Sequence, residues 1–354
     1  MDKKVGNILK YSISILLAVA LLWFCFRKVD WSDFIAALKA CRWELVILSM
    51  LTGILSFLLR GLRWRQLLLP IDPSTALRTC FNAVNISYAI NLVLPRVGEV
   101  ARCGFITARS ARNPEAAEGE GRRLASFDKV VGTAALERSF DMVFSGLLIG
   151  VFLIFTWDRF GAFFSEKILG AAGGGIGTGK VLFLVGIVAA LAAFVWISIR
   201  FSDRSRILKK VGDFCKGIGS GFVSCFRMKR GWLFFVLTAG IWTCYWMESW
   251  LILSSLQGIS PSGTSPEMAA GIAGLAGLGG IDALFIMLIG NISSLVPVPG
   301  GFGAFHFVVS SALAYVYGIP VGFGMIFATL CHEAQTVTQI LAGGISYISE
   351  TVRK

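Results

Sequence analysis

Charge is scarce in this chain: Asp, Glu, Lys and Arg together make up 15% of its 354 residues, and histidine occurs twice. A soluble domain carries about a quarter charged residues, so a soluble globular fold is excluded. The usual catalytic spacings are missing as well. There is no HExxH pair and no serine elbow, and the eight cysteines, at 25, 41, 80, 103, 215, 225, 244 and 331, show no CxxC spacing. We therefore expect no metal, no cofactor and no catalytic residue, and read the cysteines as small hydrophobes. Acids are short relative to bases, 21 against 33, which leaves a net charge of +12. In an apolar chain that excess marks cytoplasmic loops and attraction to anionic lipid heads rather than nucleic acid. Residues Gly174–Lys180 match GxxxxGK, but Val181 replaces the Ser or Thr and no strand precedes them, so nucleotide binding is not expected.

What is present is apolar helix. With 55% hydrophobic residues and a mean hydropathy of +0.73, the sequence reads as one all-α polytopic membrane domain over residues 1–354, with about six full spans and two re-entrant or broken helices. The first two spans fall within residues 1–65, at Ile8–Phe26 and Trp43–Leu62; Arg60, Arg63 and Arg65 put the end of the second beside the basic N-terminus, in the cytoplasm. Further spans are expected at Asp141–Trp157, Val181–Ile199, Trp232–Leu256 and Val321–Ile348. Between them, Asp158–Lys180 reads as a flexible outer loop and Arg200–Arg230 as an amphipathic helix on the cytoplasmic leaflet. Trp246, Glu248 and Trp250 read as an interfacial mark on the outer side.

The chemistry collects at interruptions. Cys80–Leu94 is an apolar run of 15 residues, short of the roughly 20 needed to cross a bilayer, and it carries Asn82, Asn85 and Asn91. It ends in Leu94-Pro95-Arg96-Val97-Gly98-Glu99-Val100-Ala101-Arg102. Charges at membrane depth persist only where they are paired or wetted, so Asn91, Arg96, Glu99 and Arg102 form a candidate site. Glu137, Arg138 and Asp141 follow; the two acids stand at i and i+4 on one helix face and need a cation, from Arg138 or from the first motif. A second interruption, Pro297-Val298-Pro299-Gly300-Gly301-Phe302-Gly303, precedes His306, and His332 and Glu333 lie in the last long helix. For His332 an interhelical hydrogen bond is the expected role.

The two interruptions resemble each other. Asn85-Ile86-Ser87 and Asn291-Ile292-Ser293 each precede a proline-glycine turn, and loop charge brings the first in from the cytoplasm and the second from outside. Residues 80–157 and 268–348 would then be inverted repeats. Broken helices in two halves of opposite topology mark a transporter site near the midplane.

These motifs are similar to those of a known family. Leu94–Arg102, Glu137-Arg138 with Asp141, and Pro299–Gly303 resemble, in order, three motifs of the flippase-like transmembrane domain of bacterial lysylphosphatidylglycerol synthases and their stand-alone YbhN/AglD-like relatives. One departure is Ala304-Phe305-His306, where the family commonly has an acid, so His306 either substitutes for it or the role is lost. The sequence ends at Lys354, without room for the cytosolic aminoacyl-transfer domain of the full synthases. The resemblance implies movement of an anionic or lipid-linked membrane lipid across a bacterial inner membrane, with both termini cytoplasmic and no enzymatic step. It also implies a substrate site of Asn91, Arg96, Glu99, Arg102, Glu137, Arg138, Asp141, Pro299, Gly300, Gly301, Gly303, His306, His332 and Glu333. Two alternatives stay open: a membrane-embedded transferase using Glu99, Glu137, His306 or His332 with Glu333 as acid and base, and an accessory subunit of an envelope glycosyltransferase or lipid-modifying enzyme. A homo-oligomer is compatible with each.

Overall fold

The computed structural model describes residues 16, 19–27, 29–111, 125–169, 231–260, 265–296 and 298–352. Within them the chain is helical, with no strand. In order the helices are α1 (residues 19–26), α2 (Trp31–Ala40), α3 (Trp43–Leu68), α4 (Leu77–Val93), α5 (Val97–Ala111) and α6 (Phe127–Phe163, followed by a π turn, Phe164–Leu169). Then come α7 (Gly231–Leu256), α8 (Pro266–Leu275), α9 (Gly280–Ser293), a 3-10 turn (Pro299–Gly301), α10 (Ala304–Tyr317) and α11 (Val321–Thr351). Among the described residues three stretches are long and apolar enough to cross a membrane: Trp43–Leu68, Phe127–Ile168 and Pro299–Tyr317. A fourth is available if α8 and α9, bent by 111°, count as one broken span. The protein is an all-α membrane protein.

Contacts divide the chain into Met1–Val131 with Val236–Lys354, and Gly132–Phe235. In the first unit, α4 packs against α3, α5 and α11, and α10 against α9 and α11. Trp64, Leu68, Phe285, Phe323 and Phe327 are buried there. The apolar surface left over is organised: Val337, Ile340, Leu341, Ile345 and Ile348 lie exposed along α11, and Ile47, Leu51, Ile54 and Leu55 along α3. Helical rows of exposed aliphatic side chains suit hydrocarbon, not water. In the second unit Phe140 packs edge-on against Phe234 at 4.8 Å, and Phe152 meets Phe160 at 5.1 Å.

Breaks in the helices are satisfied by side chains, as they must be where lipid offers no hydrogen bonds. At the α8–α9 bend Gln257 donates to the carbonyls of Leu275 and Leu278, at 2.7 and 2.8 Å, and Trp246 donates to Gly280 O at 2.7 Å. The carboxylate of Asp282 accepts from Gly279 N–H at 2.8 Å and from the Tyr317 hydroxyl at 2.9 Å. Outside the stretches long and apolar enough to cross a membrane, Asp30 caps α2. Its carboxylate accepts from the Ser32 hydroxyl at 2.6 Å and from the N–H groups of Ser32 and Asp33. These bonds, the hydroxyl first, hold its pKa below the ordinary value. The cap's contribution is thus complete above about pH 4 and fades as pH falls through the lowered pKa. Asp30→Ala should speed amide exchange in the first turn of α2 at neutral pH, with the difference from the parent shrinking in acid; equal exchange at both pH values would refute the cap.

Several boundaries differ from the expectation. The charges from Asp128 to Asp141 do not stop a helix: α6 starts at Phe127, runs through Glu137 and Asp141, and passes the expected loop start at Asp158 with one non-helical residue, Thr156. Helix α3 continues past the expected end at Leu62 to Leu68, and Arg60 and Arg63 are buried. Arg60 donates to the Tyr245 hydroxyl at 3.0 Å and Arg63 to Thr238 at 3.1 Å. The six described cysteines are buried. Gly174–Lys180, Val181–Ile199 and Arg200–Arg230 lie outside the described residues.

Candidate functional site

The first motif folds as a helical hairpin. Helix α4 ends at Val93, its cap residue Leu94 extended ahead of Pro95, as the proline ring requires of its neighbour. The chain reverses through Arg96, which sits at φ 65° and is the one non-glycine residue with positive φ among those described. A side chain held in that region costs free energy and points to a turn fixed by its surroundings. Asn91 does the fixing. Its amide oxygen accepts from Gly98 N–H at 2.8 Å, and its amide nitrogen donates to Glu99 Oε2 at 3.1 Å. Arg96 is exposed at the tip. Arg102, one turn further along α5, is buried and stacks its guanidinium 4.4 Å from the Trp64 ring centre.

The second motif is a tight turn in which Gly300, Gly301 and Gly303 all have positive φ, 58°, 79° and 79°. Only glycine occupies such positions without strain. The turn is enclosed. A side chain on Gly300 would come within 3.3 Å of Leu92, and one on Gly303 within 3.0 Å of the Leu22 backbone nitrogen. Helix α4 packs directly on Pro299–Gly301. The two interruptions, some two hundred residues apart in sequence, therefore meet in one unit.

Beside the second turn three ionisable groups converge. His332 Nε2 lies 2.9 Å from Gly300 O and Nδ1 lies 3.1 Å from Glu333 Oε1. His306 Nε2 is 4.0 Å from the same carboxylate oxygen. The imidazole rings are 5.0 Å apart, with Phe302 and Phe305 against His332 and Phe26 against His306. Both histidines are buried and Glu333 is 40% exposed. The interhelical bond expected of His332 is found, with a turn carbonyl as its acceptor.

The expected site residues thus separate into four groups. Asn91, Arg96 and Glu99 line the first turn; Pro299, Gly300, Gly301, Gly303, His306, His332 and Glu333 form the second; Arg102 stands on Trp64. Glu137, Arg138 and Asp141 lie on α6 in the second unit, Glu137 and Asp141 buried. The Asn-Ile-Ser triplets hold different positions: Asn85-Ile86-Ser87 is mid-helix in α4, whereas Asn291–Ser293 ends α9.

Sequence reasoning missed three polar contacts. Glu248, read as an interfacial mark, is 3% exposed and accepts from Gln335 at 2.6 Å. Helices α4 and α11 are joined by Asn82 donating to Glu350 at 2.6 Å and Asn85 to Ser346 at 2.9 Å. The available signal was the polar residue inside an apolar run, which marks a partner without naming it.

Comparison with known proteins agrees with this architecture. The family model of the lysylphosphatidylglycerol synthase TM region matches residues 11–343. Glycosyltransferase AglD of Haloferax volcanii is 24% identical over 364 aligned residues, covering 96% of this chain and 54% of the relative. The chain thus spans about half the length of that relative. No solved structure matches.

Proposed function

We propose that this chain, which belongs to the family of the lysylphosphatidylglycerol synthase TM region, moves a phospholipid or lipid-linked intermediate across a bacterial inner membrane, both termini facing the cytoplasm. The observation that carries this reading is the meeting of the two broken segments, with the end of α4 packed on Pro299–Gly301. Helices α5 and α10 each begin straight after one of these turns. The positive ends of their dipoles suit a headgroup phosphate. Arg96, exposed and strained at the tip, receives the phosphate through forked hydrogen bonds. Glu99, held by Asn91, neutralises Arg96 between cycles or takes a cationic headgroup. Residues 80–157 and 268–348 act as inverted repeats that rock about this centre.

Reconstitution into liposomes containing fluorescent lipids, with dithionite bleaching of the outer leaflet, tests the reading. The parent protein should expose inner-leaflet lipid faster than empty liposomes do. Arg96→Ala and Glu99→Gln should purify normally and lose at least tenfold in rate. A parent no faster than empty liposomes sinks the proposal, and variants as fast as the parent remove these two residues from it.

A second reading takes its support from AglD: an accessory membrane subunit working beside a glycosyltransferase. Tagged protein recovered from native membranes with such an enzyme, together with no lipid movement in liposomes, would favour it.

A further inference from the structure

Gly300 O can only accept, so the 2.9 Å contact from His332 Nε2 assigns the proton on that ring to Nε2. In a neutral imidazole Nδ1 then carries a lone pair. That lone pair faces Glu333 Oε1 at 3.1 Å, two acceptors directed at one another, an arrangement that repels unless something positive lies between them. Thr336 relieves it little, because its hydroxyl donates to His332 O at 3.0 Å and lies 3.5 Å from Nδ1. A second buried donor atom is aimed at the same point. His306 is 1% exposed, neither of its ring nitrogens has a hydrogen-bond partner among the described residues, and its Nε2 lies 4.0 Å from Glu333 Oε1.

We propose that His306, His332 and Glu333 bind a divalent transition metal of the zinc class. Each offers one ligand atom, and the three lie within 4.8 Å of one another. Zinc–nitrogen and zinc–oxygen bonds of about 2.0–2.2 Å in a tetrahedron set ligand atoms roughly 3.3–3.5 Å apart. The observed 3.1 and 4.0 Å separations bracket that spacing, and the remaining pair, the two imidazole nitrogens, lies within 4.8 Å, so the rings must draw together to close the site. Two imidazoles and a carboxylate are the donor set such ions take. The Gly300 carbonyl is the outer partner that fixes the tautomer and orients a ligating histidine. Glu333 keeps the cluster open on one side, leaving a coordination position free for a further ligand. No motif announces the site because its ligands come from the first turn of α10 and the middle of α11.

The test uses the full chain in detergent micelles, stripped with a chelator and reloaded with Zn2+ or Co2+. Elemental analysis should find one zinc per chain, and Co2+ should give tetrahedral visible bands without thiolate charge transfer, which keeps the eight cysteines out of the assignment. Glu333→Gln, at a half-exposed position, should fold and bind at least tenfold more weakly. Zn2+ should raise the melting temperature of the parent and leave that of Glu333→Gln unchanged. Less than a tenth of an equivalent on the parent overturns the proposal and assigns the close contact to a shared proton. A thiolate spectrum, or full occupancy in Glu333→Gln, overturns it too. None of these readouts depends on lipid movement.

Discussion

Gly98→Ala is expected to collapse the α4–α5 hairpin, while Gly104→Ala, less than two turns further along the same helix, should leave the protein as stable as the parent or more so. A methyl group on Gly98 would overlap the Ser87 carbonyl oxygen and stand 2.7 Å from Asn91 Oδ1; around Gly104 nothing lies within 4 Å. At Gly98 the obstacle is helix backbone, which cannot swing aside as a flexible side chain would. Relief requires α5 to move off α4, and that breaks the 2.8 Å bond from Gly98 N–H to Asn91 and carries Glu99 away from the Asn91 amide. Overpacking of this kind costs about 1–3 kcal/mol, and more where the backbone resists. At the open helical site alanine gains up to about 1 kcal/mol over glycine. Melting of the two variants by fluorescence-detected size exclusion measures the difference. If both melt together, the close approach of α5 to α4 is wrong. In the liposome assay Gly98→Ala should lose movement along with stability, because Arg96 and Glu99 depend on this turn for their positions.

The two variants also mark how far the sequence could be read. The end of α4 was legible because proline constrains the residue before it: the apolar run stops at Leu94, and the helix at Val93. The Pro299–Gly303 turn was legible because three glycines with positive φ leave the chain few alternatives. That the two turns touch was a guess from their likeness, and the packing of α4 on Pro299–Gly301 is a tertiary fact. Reading failed where charge was taken as a sign of water. Arg60 and Arg63 matched the positive-inside pattern, yet both are buried against α7 through Tyr245 and Thr238. Glu137 and Asp141 suggested a helix mouth, yet α6 passes straight through them. A charged residue gives the same one-dimensional signal whether its partner is solvent or another side chain. His306, His332 and Glu333 were legible singly, but their convergence was not, because His306 and the His332-Glu333 pair come from different helices.

Gln335→Leu is expected to destabilise the protein by about 1–3 kcal/mol, the cost of leaving a buried acceptor without its hydrogen bond. Glu248 lies in α7 at 3% exposure and accepts from Gln335 at 2.6 Å. Its other oxygen has no hydrogen-bond partner among the described residues and sits toward Gly53, where an added methyl would come within 3.6 Å. Leucine in place of Gln335 therefore strips the carboxylate of the bond that offsets its burial, and the cost falls on α7 and α11 together. Glu248→Gln should stay close to the parent. It keeps an oxygen to accept from Gln335 in a side chain of nearly the same volume, so the bond between the two helices survives. Glu248→Leu with Gln335→Leu should recover part of the loss, since no polar group is then left stranded between the two helices. Denaturant unfolding in detergent of the parent, Gln335→Leu, Glu248→Leu and the double variant closes the cycle. Equal stability of Gln335→Leu and the parent would mean that water reaches Glu248, and that α7 and α11 are held by apolar packing alone.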